Sequence, residues 1–156
     1  MAANIKRIQA AVQDGRAQTP RFKQQQLVKL QEALVSARSS LVDAICADTG
    51  YKVAEAEMQC YLTLSTLKDH YCSLDFKKML QEEFLVANSK DNTTRRNAFG
   101  CAYIIPTQYS LLYSTIVPVS AAIAAGNCVL LEVRSAQSNN LATTDKGSSF
   151  HKPPHS

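Results

Sequence analysis

The sequence predicts an α/β fold, N-terminal helices followed by one parallel βαβ unit, and three observations predict it. Apolar residues recur at helical spacing from Ile5 to Leu80. Residues 84–98 lose that period and turn polar (NSKDNTTRRN). From Asn97 to Leu131 there is no Asp, Glu, Lys, Arg or His at all. An uncharged run of that length needs deep burial or a membrane. A spanning helix takes about 20 mostly apolar residues, whereas Pro106, Gln108, Pro118 and Gly126-Asn127 cut this run into shorter pieces. The pieces are CAYII, SLLYSTIVPVSAAIAA and CVLLEV. Two apolar strands around an apolar helix are the pattern of a parallel unit covered on both faces. A membrane-associated helical protein is the alternative that the uncharged run leaves open.

The elements follow in order. Ile5, Ile8 and Val12 share a helical face, and Gly15 stands where a left-handed residue stops a helix. Thr19-Pro20 supplies an N-cap and a proline at the first helical position, where its missing N–H costs nothing. Leu27, Leu30, Leu34 and Ala37 keep the period. It resumes after Ser39-Ser40 through Leu41, Ala44 and Ile45 to a stop at Gly50. Tyr61, Leu64, Leu67, Tyr71 and Leu74 then form one stripe on one long helix or two short ones. These divisions give an N-terminal helical segment over 1–83, a linker or extended arm over 84–98, a partial Rossmann-like βαβ unit over 99–134 and a disordered tail over 135–156, where hydrophobicity and period are both lost.

Composition bounds the function. The net charge of +4 comes from Lys and Arg scattered singly or in pairs, so no stripe exists to track phosphates and nucleic-acid binding is not expected. Five cysteines, odd in number and without CxxC spacing, indicate a reduced, cytoplasmic setting. The first residues lack an apolar core of the kind a secretion signal needs. His70, Cys60 and Cys72 offer no fourth ligand at a recognisable spacing, so no metal site is expected, and His70 reads as a solvent-facing histidine. Glu55 and Glu57, two apart on a helix, do not face each other as a carboxylate pair. Tyr103, Tyr109 and Tyr113 read as core residues, and Cys128 as a packing cysteine.

The segment GCAYIIPTQYSLLYSTIVPVSAAIAAGNCVLLEVRS resembles the opening of the cofactor-binding domain of the aldehyde dehydrogenase superfamily. There a strand leads to a Trp-Asn-aromatic-Pro turn, a helix ending in AIAAGN, and a strand ending in Lys-Pro-Ser-Glu. Upstream, three features are similar to the N-terminal helices of its class-3-like members. They are Gly15-Arg16 ahead of Pro20, the Phe22–Leu30 helix with Lys23 at the family's Arg, and Ala47-Asp48-Thr49-Gly50. The resemblance covers about residues 4–132, with AIAAGN its most specific piece. It implies NAD(P)-dependent oxidation of an aldehyde to a carboxylic acid. In that reaction a cysteine thiolate attacks the carbonyl, an Asn amide holds the oxyanion, hydride passes to nicotinamide, and a Glu activates water.

Set against that pattern, this chain lacks the reacting groups. The family's Gly-Gln-x-Cys and Glu-Leu-Gly-Gly motifs are not in the sequence, and none of the five cysteines stands at the nucleophile position, so no catalytic residue is assigned. An ungapped register puts Tyr109 at the oxyanion Asn. One inserted residue puts Gln108 there instead, on a longer stem. Glu132 replaces the family's ribose-binding Lys, and a carboxylate offers no donor and repels phosphates. Ile105 and Thr107 remain as the residues matching the cofactor wall. The reading is thus a truncated N-terminal aldehyde dehydrogenase segment, inactive alone, whose NAD or NADP binding is doubtful. Its uncovered strands call for a homo-oligomer or a full-length aldehyde dehydrogenase as partner. The alternative is a non-catalytic interaction module.

Overall fold

The computed structural model describes residues 2–85, 87–91 and 97–132. The expected tail over 135–156 and, within the expected arm over 84–98, residues 86 and 92–96 lie outside them. Helices α1 (Ala2–Gln13), α2 (Pro20–Ser36), α3 (Arg38–Thr49), α4 (Val53–Cys72) and α5 (Phe76–Phe84) precede strand β1 (Cys101–Ile104), helix α6 (Leu111–Ala124) and strand β2 (Cys128–Leu131). A single 3₁₀ turn, Arg16–Gln18, joins α1 to α2. The two strands pair in parallel, with Cys101 opposite Cys128 and Ile104 opposite Leu131. The result is the α/β architecture expected, with the crossover helix where AIAAGN ends it.

Local chemistry explains most helix ends. Gly15 and Gly50 take φ of 67° and 72°, left-handed values that end α1 and α3 and that a side chain resists. Pro20 opens α2 as expected. Thr19 does not cap it, because its hydroxyl donates back to the Arg16 carbonyl at 3.0 Å. The Asp75 carboxylate accepts from the Lys78 N–H at 3.1 Å and starts α5, so the segment after Gly50 is two helices. Glu55 has a structural use, accepting from the Lys52 N–H at 2.9 Å at the head of α4. Glu57 faces Arg38 at 3.6 Å in an exposed ion pair of little energy. Pro118 lies inside α6 and does not end it.

One core joins the helical segment to the βαβ unit. Leu27 and Leu34 of α2 meet Leu67 of α4, and Leu112, Ile116 and Ile123 of α6 pack against them. A second cluster gathers Val42, Ala56 and Cys60 under Leu112. The buried face of α4 therefore runs through Ala56, Cys60, Thr63 and Leu67. Tyr61 and Tyr71, expected on that face, are exposed. Tyr61 lies one residue, about 100°, past Cys60, which turns it to solvent. Thr63, at 1% exposure, is tolerated because its hydroxyl donates to the Gln59 carbonyl at 2.7 Å.

His70 also departs from its expected solvent-facing position. Its Nδ1 lies 2.8 Å from the Ser120 hydroxyl, which is wholly buried and donates to the Val117 carbonyl at 2.8 Å. Ser120 thus joins the His70 ring to the backbone of α6. This polar link ties α4 to α6 beside the apolar core.

A candidate cofactor crevice at the strand ends

Open parallel sheets bind ligands beyond the carboxyl ends of their strands, and here those ends bring together residues 104–107 and 131–132. The ladder continues one step past the strands, with the Glu132 N–H donating to the Ile104 carbonyl at 3.0 Å. Ile105 is half-exposed on the rim. Thr107 is exposed, and its backbone meets α6: its N–H donates to the Ser114 hydroxyl at 3.2 Å, and that hydroxyl also lies 3.2 Å from the Thr107 carbonyl and 3.4 Å from Leu111 O. The first turn of α6 thus engages the backbone of Thr107. Gln108 and Tyr109 both stand exposed in the turn before α6.

Sequence reasoning missed a polar pair on the same rim, in which the Tyr103 hydroxyl donates to the Glu132 carboxylate. Strand alternation offered the signal, since Tyr103 pairs with Leu130, two residues before Glu132, which puts both on one face. The expected core placement of the tyrosines is corrected with it. Tyr103 and Tyr113 are exposed, and Tyr109 is 87% exposed, because among the described residues no layer covers that side. Both strands were expected to be covered on each face. In β1, residues alternate between exposed and half-buried.

At the other end of the sheet the chain closes on AIAAGN. The Gly126 N–H donates to Ile123 O and the Asn127 N–H to Ala122 O, each at 2.9 Å, which is a Schellman stop for α6. The Asn127 side-chain oxygen then accepts from the Gly100 N–H at 2.9 Å, pinning the end of the helix to the start of β1. A cleft of about 230 Å³ opens nearby, lined by Gly15, Thr19, Lys23, Glu82 and Asn97. It lies away from the strand carboxyl ends. Lys23 is 7% exposed, and burial pushes its ammonium below the ordinary lysine range. Burial likewise pushes the Cys60 thiol up; Arg38 opposes that shift and Glu57 adds to it.

The sequence model of the aldehyde dehydrogenase family matches residues 1–143. The chain belongs to the aldehyde dehydrogenase family. It is 28% identical over 140 residues to aldehyde dehydrogenase family 3 member B1 of Mus musculus, a stretch covering 82% of this chain and 28% of that protein. It is also 28% identical over 147 residues to family 3 member B3 of the same organism, covering 86% and 29%. The chain therefore spans under a third of the length of these curated relatives. No solved structure matches it significantly.

The family's dinucleotide does not fit the residues present. Between Asn97 and Glu132 the βαβ unit carries no cation, and its one charge is the Glu132 carboxylate at the strand end. A dinucleotide's phosphates meet repulsion there and find no donor in the carboxylate. The first turn of α6 contains no acidic residue and Ser110 makes no side-chain cap, yet its hydroxyl neighbour Ser114 already engages the carbonyl of Leu111. Among the described residues no three His, Cys, Asp or Glu side chains converge as metal ligands, and Cys60 is buried while Cys72 is exposed. No helix among the described residues is long and apolar enough to cross a membrane.

Proposed function

We propose that this chain is a non-catalytic aldehyde dehydrogenase segment, a helical lead-in and first βαβ unit descended from enzymes that oxidise aldehydes to carboxylic acids with NAD(P). By itself it neither turns over an aldehyde nor retains the dinucleotide. The observation that supports this most strongly is Glu132 at the end of β2, hydrogen-bonded to Tyr103 where the family's lysine would meet the ribose. What remains of the cofactor wall is Ile105 and Thr107, neither of which carries charge to hold a phosphate. Five free thiols accord with a reduced, cytoplasmic setting. Calorimetric titration with NAD⁺ and NADP⁺ should give no heat of binding, and a panel of aldehydes should give no reduced nicotinamide. Micromolar affinity or turnover would overturn the reading.

The partner completing the sheet is, in this reading, another aldehyde dehydrogenase chain, either a second copy or a longer relative. Phe99, Tyr103, Ile105 and Leu131 are exposed around a sheet that has two strands among the described residues. Parallel strands with bare edges and faces need neighbours to cover them. The unfolding midpoint is expected to rise with protein concentration, as mass action requires when association stabilises the folded state. A cooperative transition at the same midpoint over a hundredfold dilution would count against an associating partner.

A further inference from the structure

The two strands begin with the same residue. The parallel register sets Cys101 directly opposite Cys128. Neighbouring strands lie about 4.8 Å apart, and residues paired in register project to the same face. That spacing falls inside the range of about 4.4–6.8 Å between the α-carbons of bonded cysteines. The register is held close by, through the Cys128 N–H on the Gly100 carbonyl at 2.8 Å and the Asn127 side chain on the Gly100 N–H at 2.9 Å. Both thiols are free, Cys101 is exposed, and Cys128 is half-buried.

We propose that Cys101 and Cys128 form a strand-end dithiol that hydrogen peroxide converts to an intramolecular disulfide. The exposed Cys101 reacts first. Its thiolate attacks one peroxide oxygen, an S–O bond forms, the O–O bond breaks, and the departing hydroxide takes up a proton as water. Sulfur is oxidised to the sulfenic acid and peroxide is reduced. The Cys128 sulfur then attacks that of Cys101, the S–S bond forms, the S–O bond breaks, and a second water carries away the thiol proton. Two thiols and one peroxide become one disulfide and two waters. Burial pushes the Cys128 thiol up, and the charge of Cys101 adds to that shift. That disfavours Cys128 as the first thiolate to react and leaves this to the exposed Cys101; once Cys101 is the uncharged sulfenic acid, its contribution to the shift is gone. The remaining cysteines have other surroundings: Cys46 and Cys60 pack at the Val42 cluster, and Cys72 is exposed at the end of α4.

The uncharged run makes the test direct. Trypsin cuts after Arg96 and Arg134 and leaves both cysteines on one peptide. The reduced wild-type chain is treated with stoichiometric hydrogen peroxide, quenched with N-ethylmaleimide, digested and weighed. The peptide should be lighter by two hydrogens, refuse maleimide, and regain two reactive thiols after dithiothreitol. Recovery with both thiols alkylated, with Cys101 as sulfinic acid beside an alkylated Cys128, or cross-linked between chains would overturn the proposal. Unfolding the chain in guanidinium before oxidation should lower the yield of the internal bond several-fold, since a long loop must then close by chance; an equal yield would remove the role of the register. Cys128→Ser should divert Cys101 to sulfinic acid, and should that variant not fold, the wild-type peptide map decides alone.

Discussion

Leu67→Ala is expected to lower the unfolding free energy by about 2–5 kcal/mol, the cost of deleting a buried leucine and leaving its cavity. Leu67 is 1% exposed and meets Leu27 and Leu34, with the apolar face of α6 packed on the same cluster. It therefore stands where the helical segment and the βαβ unit share their interior. Because α6 carries Leu112, Ile116 and Ile123 into that cluster, collapse around the gap would have to move the crossover helix against the sheet. Denaturant melts compared at one protein concentration measure the change. A loss below about 1 kcal/mol would mean that the site repacks freely and that the shared core is looser than these contacts imply.

Gly126→Ala is expected to cost about 2–4 kcal/mol, combining left-handed backbone strain with crowding. Gly126 has φ of 84°, and a β-carbon there would lie 2.8 Å from Lys23 Cε and 3.3 Å from the Ala17 carbonyl oxygen. The two contributions separate by a second substitution. Lys23→Ala removes the flexible stem, so the double variant should recover the part due to Lys23 and keep the part due to φ and to the Ala17 backbone. Thermal melts of the four proteins form the cycle. Additive effects of Gly126→Ala and Lys23→Ala would show that Lys23 does not occupy the space beside Gly126.

Much of this molecule was legible residue by residue. Gly15, Gly50 and Pro20 act locally, through φ and a missing N–H, so their consequences needed no tertiary context. The uncharged run from Asn97 to Leu131 likewise announced a strand, a crossover helix and a strand, and AIAAGN marked where that helix stops. Residues whose placement depends on what lies across from them were less legible. Tyr61 and Tyr71 sit beside the buried line of α4, and a one-residue rotation separates that line from an equally apolar neighbour. Tyr103 and Tyr109 read as interior because their surroundings in sequence are apolar, yet exposure follows from which faces another layer covers.

The candidate crevice divides in the same way. The replacement of a lysine by Glu132 was visible in the sequence, whereas its hydrogen bond from Tyr103 came only with the register of β1 on β2. His70 shows the same limit, since its partner Ser120 is fifty positions away and only helix packing joins them.

By itself, then, the sequence determined the order of elements, their left-handed stops and the family, because each rests on residue types and near-neighbour spacing. The tertiary structure decided which side of α4 is interior, which tyrosines meet solvent, which hydroxyl His70 meets and which two cysteines face each other. Those outcomes depend on distances between residues far apart in the chain, which packing sets and local pattern does not.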